Sequence, residues 1–68
     1  MTDTELFYDA IDRSGYKIRF LLDELNLTYQ GFQNKAENIS EFKPSEIQKL
    51  TKILGLSKTQ RDKIFFAQ

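Results

Sequence analysis

The sequence predicts an all-α domain built from five short helices. Three observations predict it. Apolar residues recur at spacings of three and four, residues that start and stop helices cut the chain into five pieces of helical length, and no stretch keeps the period-two alternation of a strand. At 68 residues the chain is one domain, 1–68, near the lower size limit for independent folding, so it holds a single small core.

The first piece opens at Thr2-x-x-Glu5, a capping-box spacing, and places Phe7, Ala10 and Ile11 on one face with Leu6 beside it. Ser14-Gly15 stops it, with Gly15 expected in the left-handed conformation after the helix. The second runs from Ile18 to Leu25 and turns Ile18, Leu21, Leu22 and Leu25 inward; Asn26 then suits a left-handed turn. Thr28 is a good N-cap for a third helix reaching Glu37, whose only strongly apolar members are Phe32 and Ala36. Gly31 inside it costs about 1 kcal/mol relative to alanine, a cost that close approach of the backbone to another surface would justify.

Residues 38–43 form a loop pinned by Ile39 and Phe42, and Pro44 begins a fourth helix with Glu46 in its first turn and Ile47, Leu50, Ile53 and Leu54 on its core face. Gly55 ends it, Leu56 folds back, and Ser57-x-x-Gln60 starts a fifth helix carrying Ile64, Phe65 and Phe66. Phe7, Phe20, Phe32 and Phe42 are expected in the core, where aromatic rings fill volume efficiently. Phe65 and Phe66 point about 100° apart on a helix, so both are covered only if the end is wrapped or a second subunit meets it. A dimer contact at Phe65 and Phe66 is the expectation.

Composition removes several function classes. With no cysteine and no histidine there is no disulfide framework, no usual zinc-ligand set and no thiolate or imidazole for catalysis. Carboxylate pairs such as Asp9 with Asp12 or Asp23 with Glu24 fit helix ends and solvent faces. There is no glycine-rich phosphate loop and no nucleophile with a base beside it, so no catalytic residue, metal or cofactor is expected and the chain does not read as an enzyme. No run of about eighteen apolar residues and no signal segment occurs, which leads to the expectation of a cytoplasmic protein with no membrane partner.

The formal net charge is zero, yet it is unevenly spread. Residues 1–24 carry six acids against three bases and residues 25–68 seven bases against four acids, so a basic face is compatible with overall neutrality.

The informative unit is Ile18 to Lys35, a short helix, a turn at Asn26-Leu27, and a second short helix too polar to be a core element. A helix about 12 Å across fits the major groove of duplex DNA, where glutamine and asparagine make bidentate bonds to adenine edges. Tyr29, Gln30, Gln33 and Asn34 are the candidate base-contacting set, and Lys17, Arg19, Thr28 and Lys35 the candidates for phosphates.

The run Gly15-Tyr16-Lys17-Ile18-Arg19-Phe20-Leu21-Leu22-Asp23-Glu24-Leu25-Asn26-Leu27-Thr28 resembles the opening of the Xre/Cro-type helix-turn-helix family. Phe32-Gln33-Asn34-Lys35, Glu41-Phe42 and Leu50 through Leu54-Gly55-Leu56-Ser57 are similar to the rest of it, so the resemblance covers nearly the whole chain. It implies a lambda-repressor-like five-helix bundle containing a helix-turn-helix, as in short Cro-like transcriptional regulators of phages and prophages of Gram-positive bacteria. It further implies that the third helix enters the major groove and that homodimers read palindromic operators. On this chain it puts the N-cap and phosphate role on Thr28, base contacts on Tyr29, Gln30, Gln33 and Asn34, and core roles on Leu21, Leu25, Leu27 and Phe32.

Two functions stay open at this point. The amide-rich third helix favours a DNA-binding regulator covering an operator. Net neutrality favours a modulator or antirepressor on the same fold that binds another regulator protein instead of DNA.

Overall fold

Five helices with no strand between them make up the computed structural model, which describes residues 1–68: α1 (Thr4–Ser14), α2 (Ile18–Leu25), α3 (Tyr29–Ala36), α4 (Pro44–Ile53) and α5 (Lys58–Phe65). Four of the five begin where a side chain accepts from an orphan backbone N–H, α2 being the exception, and the ends of α2 and α4 are closed by backbone N–H groups of the turns that follow. The cap of α1 is Asp3 rather than Thr2: the Asp3 carboxylate accepts from Leu6 N–H at 3.1 Å, and its negative charge also suits the positive end of the helix. Thr2 is buried instead. Its N–H donates to Asn38 Oδ1 (2.7 Å) and its carbonyl accepts from Asn38 Nδ2 (2.8 Å).

One turn design is used twice. Asn26 (φ 55°) and Gly55 (φ 64°) both take the left-handed conformation, and the next residue then closes back on the helix it follows. Leu27 N–H donates to Leu22 O at 3.0 Å and Leu56 N–H to Thr51 O at 2.9 Å, while the leucine side chains pack on the core. At the start of α4 the Lys43 side chain accepts nothing, so the helix is capped from inside by Glu46 Oε1, which accepts from Lys43 N–H at 2.8 Å. The start of α5 is reciprocal, Ser57 Oγ accepting from Gln60 N–H (3.1 Å) and Gln60 Oε1 from Ser57 N–H (2.8 Å).

The apolar stripes meet with α1 on α5, α2 on α3 and α4, and α4 on α5. Phe7, Leu21, Phe32 and Leu50 are wholly enclosed at the centre. The Phe7 ring lies 5.3 Å from Phe42, 5.6 Å from Phe65 and 5.7 Å from Phe32, centre to centre, so α1 joins the loop, α5 and α3 through one aromatic cluster. The first residues act as a strap across the ends of two helices. Asp3 N–H donates to Ile64 O (2.7 Å), Ala67 N–H to Met1 O (2.9 Å) and Thr4 Oγ1 to Ala36 O (2.7 Å).

Two expected core positions differ. Phe20 is partly exposed and stacks on Tyr16 with ring centres 4.9 Å apart, because the buried stripe of α2 follows Leu21 and Leu25 and residue 20 points about 100° away from it. Ile39 is 74% exposed, and the loop it was expected to pin is held by Phe42 and by the Asn38–Thr2 pair.

Candidate functional site

The outward face of α3 is set by how little of the helix is used for packing. Phe32 and Ala36, four residues apart, are its only fully buried side chains, so the helix rests on one narrow stripe. The Thr28 hydroxyl caps it, accepting from Gly31 N–H at 3.1 Å. A Cβ at Gly31 would lie 3.2 Å from that oxygen, so the helix's own cap already crowds this position.

None of the four residues expected to contact bases is enclosed by the chain. Tyr29 is 56% exposed and Gln30 is exposed, whereas Gln33 and Asn34 are half-buried on the flank of the same face. Gln30 and Asn34 are joined, with Gln30 Nε2 donating to Asn34 Oδ1 at 2.8 Å. The face therefore presents amide donors and acceptors, a phenol and no free cation.

Lys17 and Arg19, the N-cap and second residue of α2, are exposed and free of ion pairs, and Thr28 is exposed at the start of α3. These three sit at the N-terminal ends of α2 and α3. Lys35, the fourth residue expected to meet phosphate, does not join them. Its ammonium donates to both oxygens of Glu46 (2.7 and 2.8 Å), and the two side chains keep only 12% and 9% of their exposure. Sitting beside Ala36, Lys35 faces α4, and its charge is spent on a partner eleven residues away.

The pair expected to form a dimer contact is also divided. Phe65 is 4% exposed and packs 5.6 Å from both Phe7 and Phe42, so it belongs to the core of its own chain. Phe66 is 55% exposed and remains open.

Glu46 and Tyr8 were not among the expected site residues. Glu46 was visible in sequence as an acid in a first helical turn, but nothing local pointed to Lys35. Tyr8, half-buried on α1, has its pKa raised above the usual phenol value by burial, then by the Glu37 carboxylate and by Tyr29. Only the tertiary meeting of α1 and α3 creates that neighbourhood.

The site is a convex helix face and not a pocket. A groove of about 260 Å³, lined in part by Leu6, Ala10, Leu54, Leu56 and Ile64, contains no residue of α2 or α3. No three His, Cys, Asp or Glu side chains converge to hold a metal ion, and no helix is long and apolar enough to cross a membrane. No family model matches the chain, and neither a curated protein nor a solved structure matches it.

Proposed function

We propose that the chain is a sequence-specific DNA-binding transcriptional regulator, Cro-like or repressor-like and of phage or prophage type, in which α2 and α3 form a helix-turn-helix and α3 enters the major groove. The observation that carries this reading is the outward amide face of α3, whose only fully buried side chains are Phe32 and Ala36. Tyr29, Gln30, Gln33 and Asn34 are the base-contacting set, and Lys17, Arg19 and Thr28 hold phosphates on either side. The molecule is 27 Å along its longest axis, shorter than the roughly 34 Å of one DNA turn, which suits one copy per half-site and two copies per operator. Of the two residues expected at a dimer contact, Phe66 is the one left exposed for contact between copies.

A second reading is a modulator that uses the same face on another regulator protein. The engagement of Lys35 by Glu46 favours it, because α3 is left without a free cation on a chain of zero net charge.

A salt titration of binding to a random-sequence duplex pool separates the two. Phosphate contact by Lys17 and Arg19 of each copy predicts a fall of log K against log salt with a slope of about −4 for a dimer. Failure to retain any duplex at low salt would discard the DNA reading and leave the protein-binding one.

A further inference from the structure

We infer that the cleft between the end of α1 and the start of α2, lined by Tyr8, Asp12 and Tyr16 together, binds an organic cation, an alkylammonium or guanidinium group. The cleft contains no residue of α3, so the inference does not rest on the groove reading. Its volume is about 370 Å³, and Ile11, Gly15 and Ile18 complete its walls. That is the small end of the range for ligand sites, roughly 300–1,000 Å³.

Three sources of negative potential converge there. The first is Asp12, an exposed carboxylate in the last turn of α1. The carbonyl end of a helix is already partly negative, so an acid there is disfavoured unless a cation offsets it. The chain supplies none. Its ion pairs are Arg13 with Asp9, Lys35 with Glu46 and Arg61 with Asp62. Arg13, the one base in the last turn, is thus spent on Asp9 at 3.0 Å, and Lys17 beyond the turn makes no ion pair either. The second source is the end of α1 itself, whose last carbonyls have no partner within the helix. The third is the pair of phenol rings, whose π faces attract a cation. Tyr16 is held by stacking on Phe20, ring centres 4.9 Å apart and planes 15° apart, and the opposite face of its ring is left clear of Phe20. Burial and the Glu37 carboxylate keep the Tyr8 phenol protonated to higher pH than usual, so that ring stays neutral.

The chemistry favours an organic cation over a metal ion. A hard metal ion needs several oxygen ligands, and no three acidic side chains converge anywhere on the chain. One carboxylate, two tyrosines and the isoleucines Ile11 and Ile18 suit instead a charge carried on alkyl groups. A lysine or arginine side chain of a partner protein and a free amine both have that chemistry.

The test is an amide NMR titration of the full chain at constant ionic strength. The probes are choline, its neutral isostere 3,3-dimethylbutan-1-ol, and blocked tripeptides with a central arginine or lysine. Choline is expected to shift the signals of Tyr8, Asp12, Gly15 and Tyr16 together, and the neutral alcohol to leave them in place. Asp12→Asn removes an exposed charge and should weaken choline binding about fivefold. Tyr16→Leu should weaken it about threefold, whereas Tyr16→Phe, which keeps the ring, should bind as the wild type does. Tighter binding of either peptide than of choline supports the inference and names a partner's side chain as the occupant; the reverse order supports it and names a free amine. Equal shifts with the neutral alcohol, undiminished binding by Asp12→Asn, or choline shifts that follow Glu5 and Asp23 as strongly as Asp12 would overturn it. So would the absence of any shift with all the cations.

Discussion

Lys35 is the one cation of α3, and its ammonium lies 2.7 and 2.8 Å from the two oxygens of Glu46, almost out of contact with water. Two charges taken from solvent in this way are stable only together, since either one alone keeps its desolvation penalty without its partner. Lys35→Met should therefore destabilise the fold by about 3 kcal/mol, because Glu46 is left charged with only the Lys43 N–H to satisfy it. Lys35→Met combined with Glu46→Gln should recover part of that loss. Urea denaturation of the single and double variants measures both, and strictly additive losses would show that the pair is not coupled. The sequence shows a lysine late in one helix and a glutamate early in the next. It does not show that they meet.

At the scale of the element, α3 has only 8 residues and two fully buried side chains, so its cap is a sizeable part of what holds it. Thr28→Ala removes the oxygen that accepts from Gly31 N–H, and a loss of about 1 kcal/mol is expected. Thr28→Ser, which keeps the hydroxyl, should lose far less. Comparing the three proteins by thermal melting checks the cap, and equal melting temperatures for serine and alanine would reject it. Element ends were the most legible feature of the chain. Gly15, Asn26, Thr28, Pro44, Gly55 and Ser57 act within four residues of themselves, and all of them stand where a local reading puts them. The start of α1 was misread because two neighbouring residues, Thr2 and Asp3, both carry a capping oxygen. Asn38 then captured the backbone of the first.

For the molecule as a whole, the Asn38–Thr2 pair ties the end of α3 to the strap that also reaches α5 through Asp3 N–H and Ile64 O. Asn38 is also left-handed (φ 67°), so Asn38→Ala loses two hydrogen bonds and a tolerated backbone conformation together. A loss of about 2 kcal/mol is expected. Amide hydrogen exchange should show the effect concentrated in residues 1–4 and at the end of α5, and a uniform rise in exchange would mean that the strap is not a separate unit. A domain this small has about 5 kcal/mol of stability to lose, so such ties decide whether the helices remain assembled.

The order of the helices, their length and the identity of most of the core followed from the sequence alone, because capping, left-handed turns and apolar spacing act within one or two helical turns. The same spacing left Tyr29 and Gln30 on the open side of α3. Tertiary structure decided which charges stay free and which phenylalanines stay dry. Lys35 and Phe65 were placed by groups that the chain brings near them only on folding, Glu46 in the one case and Phe7 with Phe42 in the other. Burial and ion pairing depend on what lies across the interface, and no local pattern records that.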